Sequence, residues 1–138
     1  MPETSGLDRD QMCFACGVNN PIGLKLKFRE EKDTYIAEFI AGAEHQSYDG
    51  IVHGGIISTL LDEVMAGYIH AKGHNAVTAR LDVRFKKPTP IGEPLTITGK
   101  IISQRGNMIE LSGAIELSDG TITAQGKATV AVLEELKQ

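Results

Sequence analysis

The sequence has no tryptophan and only 5% aromatic residues. Any core must therefore be filled by Ile, Leu, Val and Ala rather than by large rings. Cysteine is nearly as scarce, with only Cys13 and Cys16, spaced CxxC. Two thiols cannot build a disulfide framework, and a structural zinc site ordinarily takes four ligands. His45 and His53 could complete such a set, but nothing in their spacing suggests it. A redox motif needs a strand before the pair and a helix after it, whereas Asn19, Asn20, Pro21 and Gly23 follow and break a helix. The pair is expected in a structural N-terminal loop, reduced in a cytosol, with no metal and no cofactor. A long apolar run is also missing, and the polar start MPETSGLDRD does not read as a signal peptide. Excess positive charge is absent as well: the net charge is -4, which argues against nucleic acid as a partner, although a local basic patch could meet an anionic ligand. The expectation is a cytoplasmic enzyme or binding module with no membrane and no nucleic acid among its partners.

What is present fits one domain spanning residues 1–138. Hydrophobic residues make up 41% and charged residues 23%, a balance that supports a packed core and argues against disorder. Residues 1–21 read as an irregular leader. From Gly23 to Arg29, Leu24, Leu26 and Phe28 alternate with Lys25, Lys27 and Arg29, the pattern of a half-buried strand. Tyr35 to Ile40 reads as a second strand, with Asp33-Thr34 in the turn between them. The period then changes. Ile56, Ile57, Leu60, Leu61, Val64, Met65, Tyr68 and Ile69 recur at helical spacing, and Gly73 supplies a stop, so a helix is expected from about Gly54 to Ala71.

Period two returns with Ala79, Leu81, Val83 and Phe85 set against Thr78, Arg80, Asp82, Arg84 and Lys86. Three further strands are expected over Leu95–Ser103, Met108–Leu117 and Thr121–Leu133, with Gly106-Asn107 and Asp119-Gly120 at the hairpin turns. Two strands, one apolar helix and four strands point to an α+β architecture, a curved antiparallel sheet wrapped around the helix.

The stretch that carries chemistry is Val52-His53-Gly54-Gly55, which opens the helix, followed by Asp62-Glu63. Glycines at a helix start allow close backbone approach and leave N–H groups without intrahelical partners. With the positive end of the helix dipole, such donors can hold a developing oxyanion. Attack on a thioester carbonyl also needs a carboxylate, as nucleophile or as general base. Asp62 shares the small-residue face with Gly55, Ser58 and Thr59, whereas Glu63 points about 100° away, so Asp62 is the better candidate. Gly54 and Asp62 are separated by about 12 Å of helix rise. A carbonyl bound at one cannot easily meet the other on the same helix, so the site is expected at the interface of two antiparallel subunits in a dimer or tetramer.

These features resemble the PaaI-like acyl-CoA thioesterases of the hotdog superfamily, over nearly the whole span from Cys13 to Leu133. That family opens its central helix with HGG and carries an Asp or Glu nine residues after the His, as His53 and Asp62 stand here. The resemblance implies that the Gly54 amide, helped by Gly55, polarises the carbonyl of an acyl-CoA. It implies Asp62 as nucleophile or general base and His53 as a residue that shapes the pocket. Thr78 matches a hydroxyl that the family contributes from across the dimer to position water, although an ordinary strand residue would look the same. Ser47, with Gln46 beside it, stands where many members carry an Asn or Gln that touches the carboxylate. The segment Cys13-Phe14-Ala15-Cys16-Gly17, with Asn20 to Leu24, resembles a leader found in the family.

Arg84, Lys86 and Lys87 could meet coenzyme A phosphates, or form the charged outer face of a strand. Ser58 and Thr59 read as packing residues, Glu63 as a solvated or salt-bridged helix residue, and His70 and His74 as solvated residues near the helix end. Two other functions remain open at this level. A hotdog hydratase or dehydratase pairs its acid with a His at a different spacing. A non-catalytic acyl-CoA-binding protein would be expected to carry an effector domain. An acyl-carrier-protein thioester remains an alternative to acyl-CoA.

Overall fold

The computed structural model describes residues 12–133. The expected leader is therefore seen from Met12 onward; its earlier part, with the stretch MPETSGLDRD, lies outside the described residues. The elements are β1 (Phe28–Glu31), β2 (Thr34–Ile40), a short 3-10 turn (Ala43–His45), α1 (Gly54–Ala71), β3 (Ala76–Phe85), β4 (Pro94–Arg105), β5 (Met108–Leu117) and β6 (Ile122–Val132). The strands form one antiparallel sheet in the order β1-β2-β4-β5-β6-β3. The sheet wraps α1, which touches every strand from β2 to β6. This is the hotdog arrangement expected from the alternation of periods. No described helix is long and apolar enough to cross a membrane.

The helix keeps its expected limits because its apolar stripe and its stop agree. Ile57, Leu60, Leu61, Val64, Met65, Tyr68 and Ile69 are buried on it, and Gly73 beyond its end has φ +97°. The first strand is shorter than its alternation suggests. Leu24 and Leu26 are buried and Lys25 and Lys27 exposed, as expected, but Lys25 lies at φ 57° and regular pairing starts only at Phe28. Segment 24–26 instead holds the leader, through Leu24 N–H to Phe14 C=O (2.8 Å) and Leu26 N–H to Ala15 C=O (2.9 Å). The β1–β2 turn sits one residue earlier than expected. Lys32 (φ 51°) and Asp33 (φ 65°) occupy its left-handed centre, the backbone of a two-residue hairpin loop.

Scarce as they are, the aromatic residues are concentrated. Phe28, Tyr35 and Tyr68 stack with centroids 4.6 and 4.8 Å apart, and the Tyr68 hydroxyl donates to Glu30. Burial, then the Glu30 carboxylate, pushes the Tyr68 phenol up to about 12.

Glycine sets the depth of the helix. Gly99, Gly113 and Gly126 lie side by side on β4, β5 and β6, forming a row across the sheet. A Cβ at Gly99 would stand 2.5 Å from the Val64 carbonyl oxygen, and one at Gly126 would stand 3.1 Å from Met65 Cε. The row is a trough in which α1 rests against sheet backbone.

Candidate active site

The N-terminus of α1 is built by His53. Its extended backbone (φ -60°, ψ 137°) makes it the N-cap, and its Nδ1 accepts a hydrogen bond from the Gly55 N–H at 2.8 Å. A Cβ at Gly55 would lie 3.1 Å from that Nδ1, so the second glycine makes room for the cap. The Ile56 and Ile57 amides donate to the His53 carbonyl at 2.9 and 3.0 Å. The Gly54 N–H has no protein acceptor among the described residues. Of the two glycines expected to share oxyanion binding, only Gly54 therefore offers an uncommitted donor at the positive end of the helix.

Beside this end lies a shallow cleft of about 350 Å³, lined by Glu44, His45, Gln46, His53, Gly55, Ile56 and Thr59. His45 shapes it, although its sequence position suggested no such role. Its Nδ1 accepts from the Gly42 N–H (3.0 Å) and its carbonyl accepts from the His53 N–H (2.8 Å). Gln46 lines the cleft and accepts the Gly50 N–H through Oε1 (3.2 Å). Ser47 closes its own turn by donating to the Ile51 carbonyl (3.4 Å).

Asp62 stands two turns further along α1, outside that cleft. Its Oδ1 accepts a 2.7 Å hydrogen bond from the Thr78 hydroxyl on β3. Both residues are half-buried, and Asp62 Oδ2 has no protein partner among the described residues. A bulge makes this contact. Thr78 pairs with Val130 and Arg80 with the adjacent Thr129, so Ala79 is left without a partner. The extra residue lets Thr78 face α1 together with Leu81 and Val83, whereas unbroken alternation sets Thr78 on the opposite side. The hydroxyl thus reaches Asp62 of its own chain, where the resemblance implied a contribution from across the dimer.

Ser58 and Thr59 return their hydroxyls to the Gly54 and Gly55 carbonyls (3.0 and 2.9 Å), as befits packing residues. Phe85, at the end of β3, covers the start of the helix, where a Cβ at Gly54 would lie 3.5 Å from its ring. Arg84, Lys86 and Lys87 flank it with exposed side chains, and the Lys86 and Lys87 amides donate to the Thr123 carbonyl (2.8 and 3.1 Å). Glu63, expected to be solvated or salt-bridged, is half-buried and accepts from the Cys13 thiol at 4.0 Å.

The family model for the thioesterase superfamily matches residues 49–124, more than half of the chain. A Candida albicans protein named as uncharacterised and mitochondrial is 32% identical over 92 residues, which are 64% of this chain and 41% of that one. Human acyl-coenzyme A thioesterase 13 is 28% identical over 99 residues, covering 68% of this chain and 69% of its own. Among solved structures, a thioesterase-superfamily protein at 32% identity superposes with a TM-score of 0.77, over 83% of this chain and 60% of that one. A hypothetical thioesterase from Streptococcus pneumoniae, solved with coenzyme A, gives 0.77 over 95% and 97% of the two chains; at 18% identity this likeness concerns the fold alone. The chain spans less than half of the Candida protein's length. With the match running through the helix that carries His53, Gly54 and Asp62, the chain belongs to the thioesterase superfamily.

Proposed function

We propose that the protein hydrolyses an acyl-CoA thioester to the free acid and coenzyme A. The observation that carries this reading is the Asp62 carboxylate, with Oδ1 fixed by Thr78 and Oδ2 open, on the same helix as the uncommitted Gly54 amide. The name of the human relative supports the substrate class.

The Gly54 N–H and the helix dipole stabilise negative charge on the thioester oxygen as the carbonyl carbon becomes tetrahedral. Asp62 either takes a proton from the attacking water or attacks the carbonyl itself, giving an anhydride that water then opens. The sulfur leaves as the thiol of coenzyme A. His53 holds the helix cap, and Thr78 holds the carboxylate. The His53 ring is turned into the cap, with Nδ1 accepting the Gly55 amide, which favours hydrolysis over a hydratase whose His must reach the substrate β-carbon.

The two halves lie about 12 Å apart along one helix, and the cleft at Gly55 stops short of Asp62. Both points support a site in which Gly54 of one subunit faces Asp62 of another. The edge strand β3, with Val77 and Phe85 exposed, offers a surface for such pairing. A dimer or tetramer with a shared site and a cytoplasmic location belong to this proposal; Arg84, Lys86 and Lys87 are its candidates for meeting the coenzyme A phosphates. The deciding experiment is thiol release from a panel of acyl-CoAs by wild type and Asp62→Asn. The variant should fold and associate normally while losing hydrolysis, and full activity in it would refute the mechanism.

A further inference from the structure

The leader and the central helix meet at a cluster that the hydrolytic reading leaves unused. Cys13, Cys16 and Glu63 converge there: one ligand-type atom from each lies within 4.8 Å of the others, and all three residues are half-buried. The Cys13 thiol stands 4.0 Å from Glu63 Oε1. The loop that carries the cysteines is fixed independently of the cluster. Gly17 N–H closes a turn on the Cys13 carbonyl (2.8 Å), the Phe14 and Ala15 carbonyls pair with segment 24–26, and Ala15 is buried. The helix leaves space on its side as well. Gly67 sits one turn beyond Glu63, where a Cβ would come within 3.1 Å of Oε2, so the carboxylate can lie back along the helix.

We propose that Cys13, Cys16 and Glu63 bind a zinc ion that fastens the N-terminal loop to the central helix. Two thiolates and a carboxylate suit Zn2+ and disfavour Mg2+ or Ca2+, which take oxygen ligands. Zinc bonds of about 2.3 Å to sulfur and about 2.0–2.2 Å to oxygen place neighbouring ligands within the spread seen here. The three donors leave a fourth tetrahedral position to water. Binding replaces the two thiol protons with metal–sulfur bonds and releases them to solvent; no electron transfer is involved. CxxC alone supplies only two ligands, and the third lies 47 positions beyond Cys16, which is why the spacing of Cys and His gave no indication of a site.

The test uses the full chain, reduced and stripped with chelator, titrated with Zn2+ against a chromophoric competitor and, separately, with Co2+ as a spectroscopic probe. The expected result is one ion per chain and a thiolate-to-Co2+ charge-transfer band in the near ultraviolet. Glu63→Gln should keep that band while binding Zn2+ at least ~10-fold more weakly, the lower range for losing even an outer partner of a zinc site. Cys13→Ser and Cys16→Ser should each weaken the band and the affinity. Should a cysteine variant fail to fold, the wild-type titration and Glu63→Gln still decide. Uptake of less than one ion per chain, Co2+ binding without the charge-transfer band, or a Glu63→Gln affinity equal to wild type would each overturn the proposal. So would thiols that oxidise to a Cys13–Cys16 disulfide and take up no metal once reduced. The readout is metal rather than hydrolysis, so its outcome is independent of the thioesterase reading.

Discussion

Replacing Gly54 by proline removes one hydrogen-bond donor and changes little else. Gly54 is the first residue of α1, where proline is well tolerated because its fixed φ suits the helix and the lost N–H has no intrahelical acceptor. Proline also restricts the residue before it to extended backbone, and His53 already has φ -60° and ψ 137°. The added Cβ would meet the Phe85 ring at 3.5 Å, an ordinary contact. Stability should therefore shift by no more than about 1 kcal/mol, typical of a substitution without strain. Removal of an oxyanion donor costs about 10²–10³ in kcat, or ~2.7–4 kcal/mol. The measurement is steady-state thiol release alongside a thermal melt, with Gly54→Ala, which keeps the N–H, as the control. Mixing unfolded Gly54→Pro and Asp62→Asn chains and refolding them together adds a second readout. Random pairing puts half of the chains in mixed dimers, each with one intact site, so about a quarter of wild-type activity should return if the site is shared. A folded Gly54→Pro enzyme within about tenfold of wild type would sink the oxyanion role, and no recovery on mixing would sink the shared site.

Thr78→Val should lower kcat/KM by about 10–100-fold, because a hydrogen bond to a charged group is worth ~1.5–3 kcal/mol. It should add nothing in an Asp62→Asn background; additive losses would show that the two act separately. Gly99→Ala drives a Cβ to 2.5 Å from backbone oxygen and should cost about 3 kcal/mol or more, lowering Tm by roughly 10 °C. Gly126→Ala is tight only against the movable end of Met65, its contacts with Leu61 and the Asp82 carbonyl being ordinary, and it regains backbone entropy, so it should stay within about 1 kcal/mol of wild type; the reverse order in thermal melts would refute the trough. Tyr68 is protonated up to about 12 when folded and to about 10 when unfolded. The folded state thus holds the proton longer, and this contribution to stability, complete below pH 10, is lost as pH rises toward 12. Denaturant melts across that range should fall more steeply for wild type than for Tyr68→Phe.

The helix and the later hairpins were legible because each rests on local signals. The stripe from Ile56 to Ile69 with Gly73 after it, and the turns at Gly106 and Gly120, need no knowledge of partners. Asp62 was legible for the same reason, as a position on one face of one helix. The strand expected over 23–29 was cut short at Lys25 by a backbone angle that alternation does not report. The contact of Thr78 with Asp62 was hidden by the bulge at Ala79, since one inserted residue reverses the face of everything before it. The Ser47 hydroxyl closes its local turn, a contact that its place before HGG does not report. The cluster of Cys13, Cys16 and Glu63 is non-local, and only the folded chain brings it together.

The row of Gly99, Gly113 and Gly126 bears on how such a helix could be transplanted. The segment from His53 to Ala71 carries its cap, its donor and its carboxylate with it, so it resembles a portable cassette. Its seating is not portable. Val64 presses its backbone against Gly99, and Leu61 and Met65 lie over Gly113 and Gly126. A recipient sheet with side chains at those three registers would hold the cassette higher and carry Asp62 away from its hydroxyl partner. A working chimera would have to move the three glycines, on three separate strands, together with the helix.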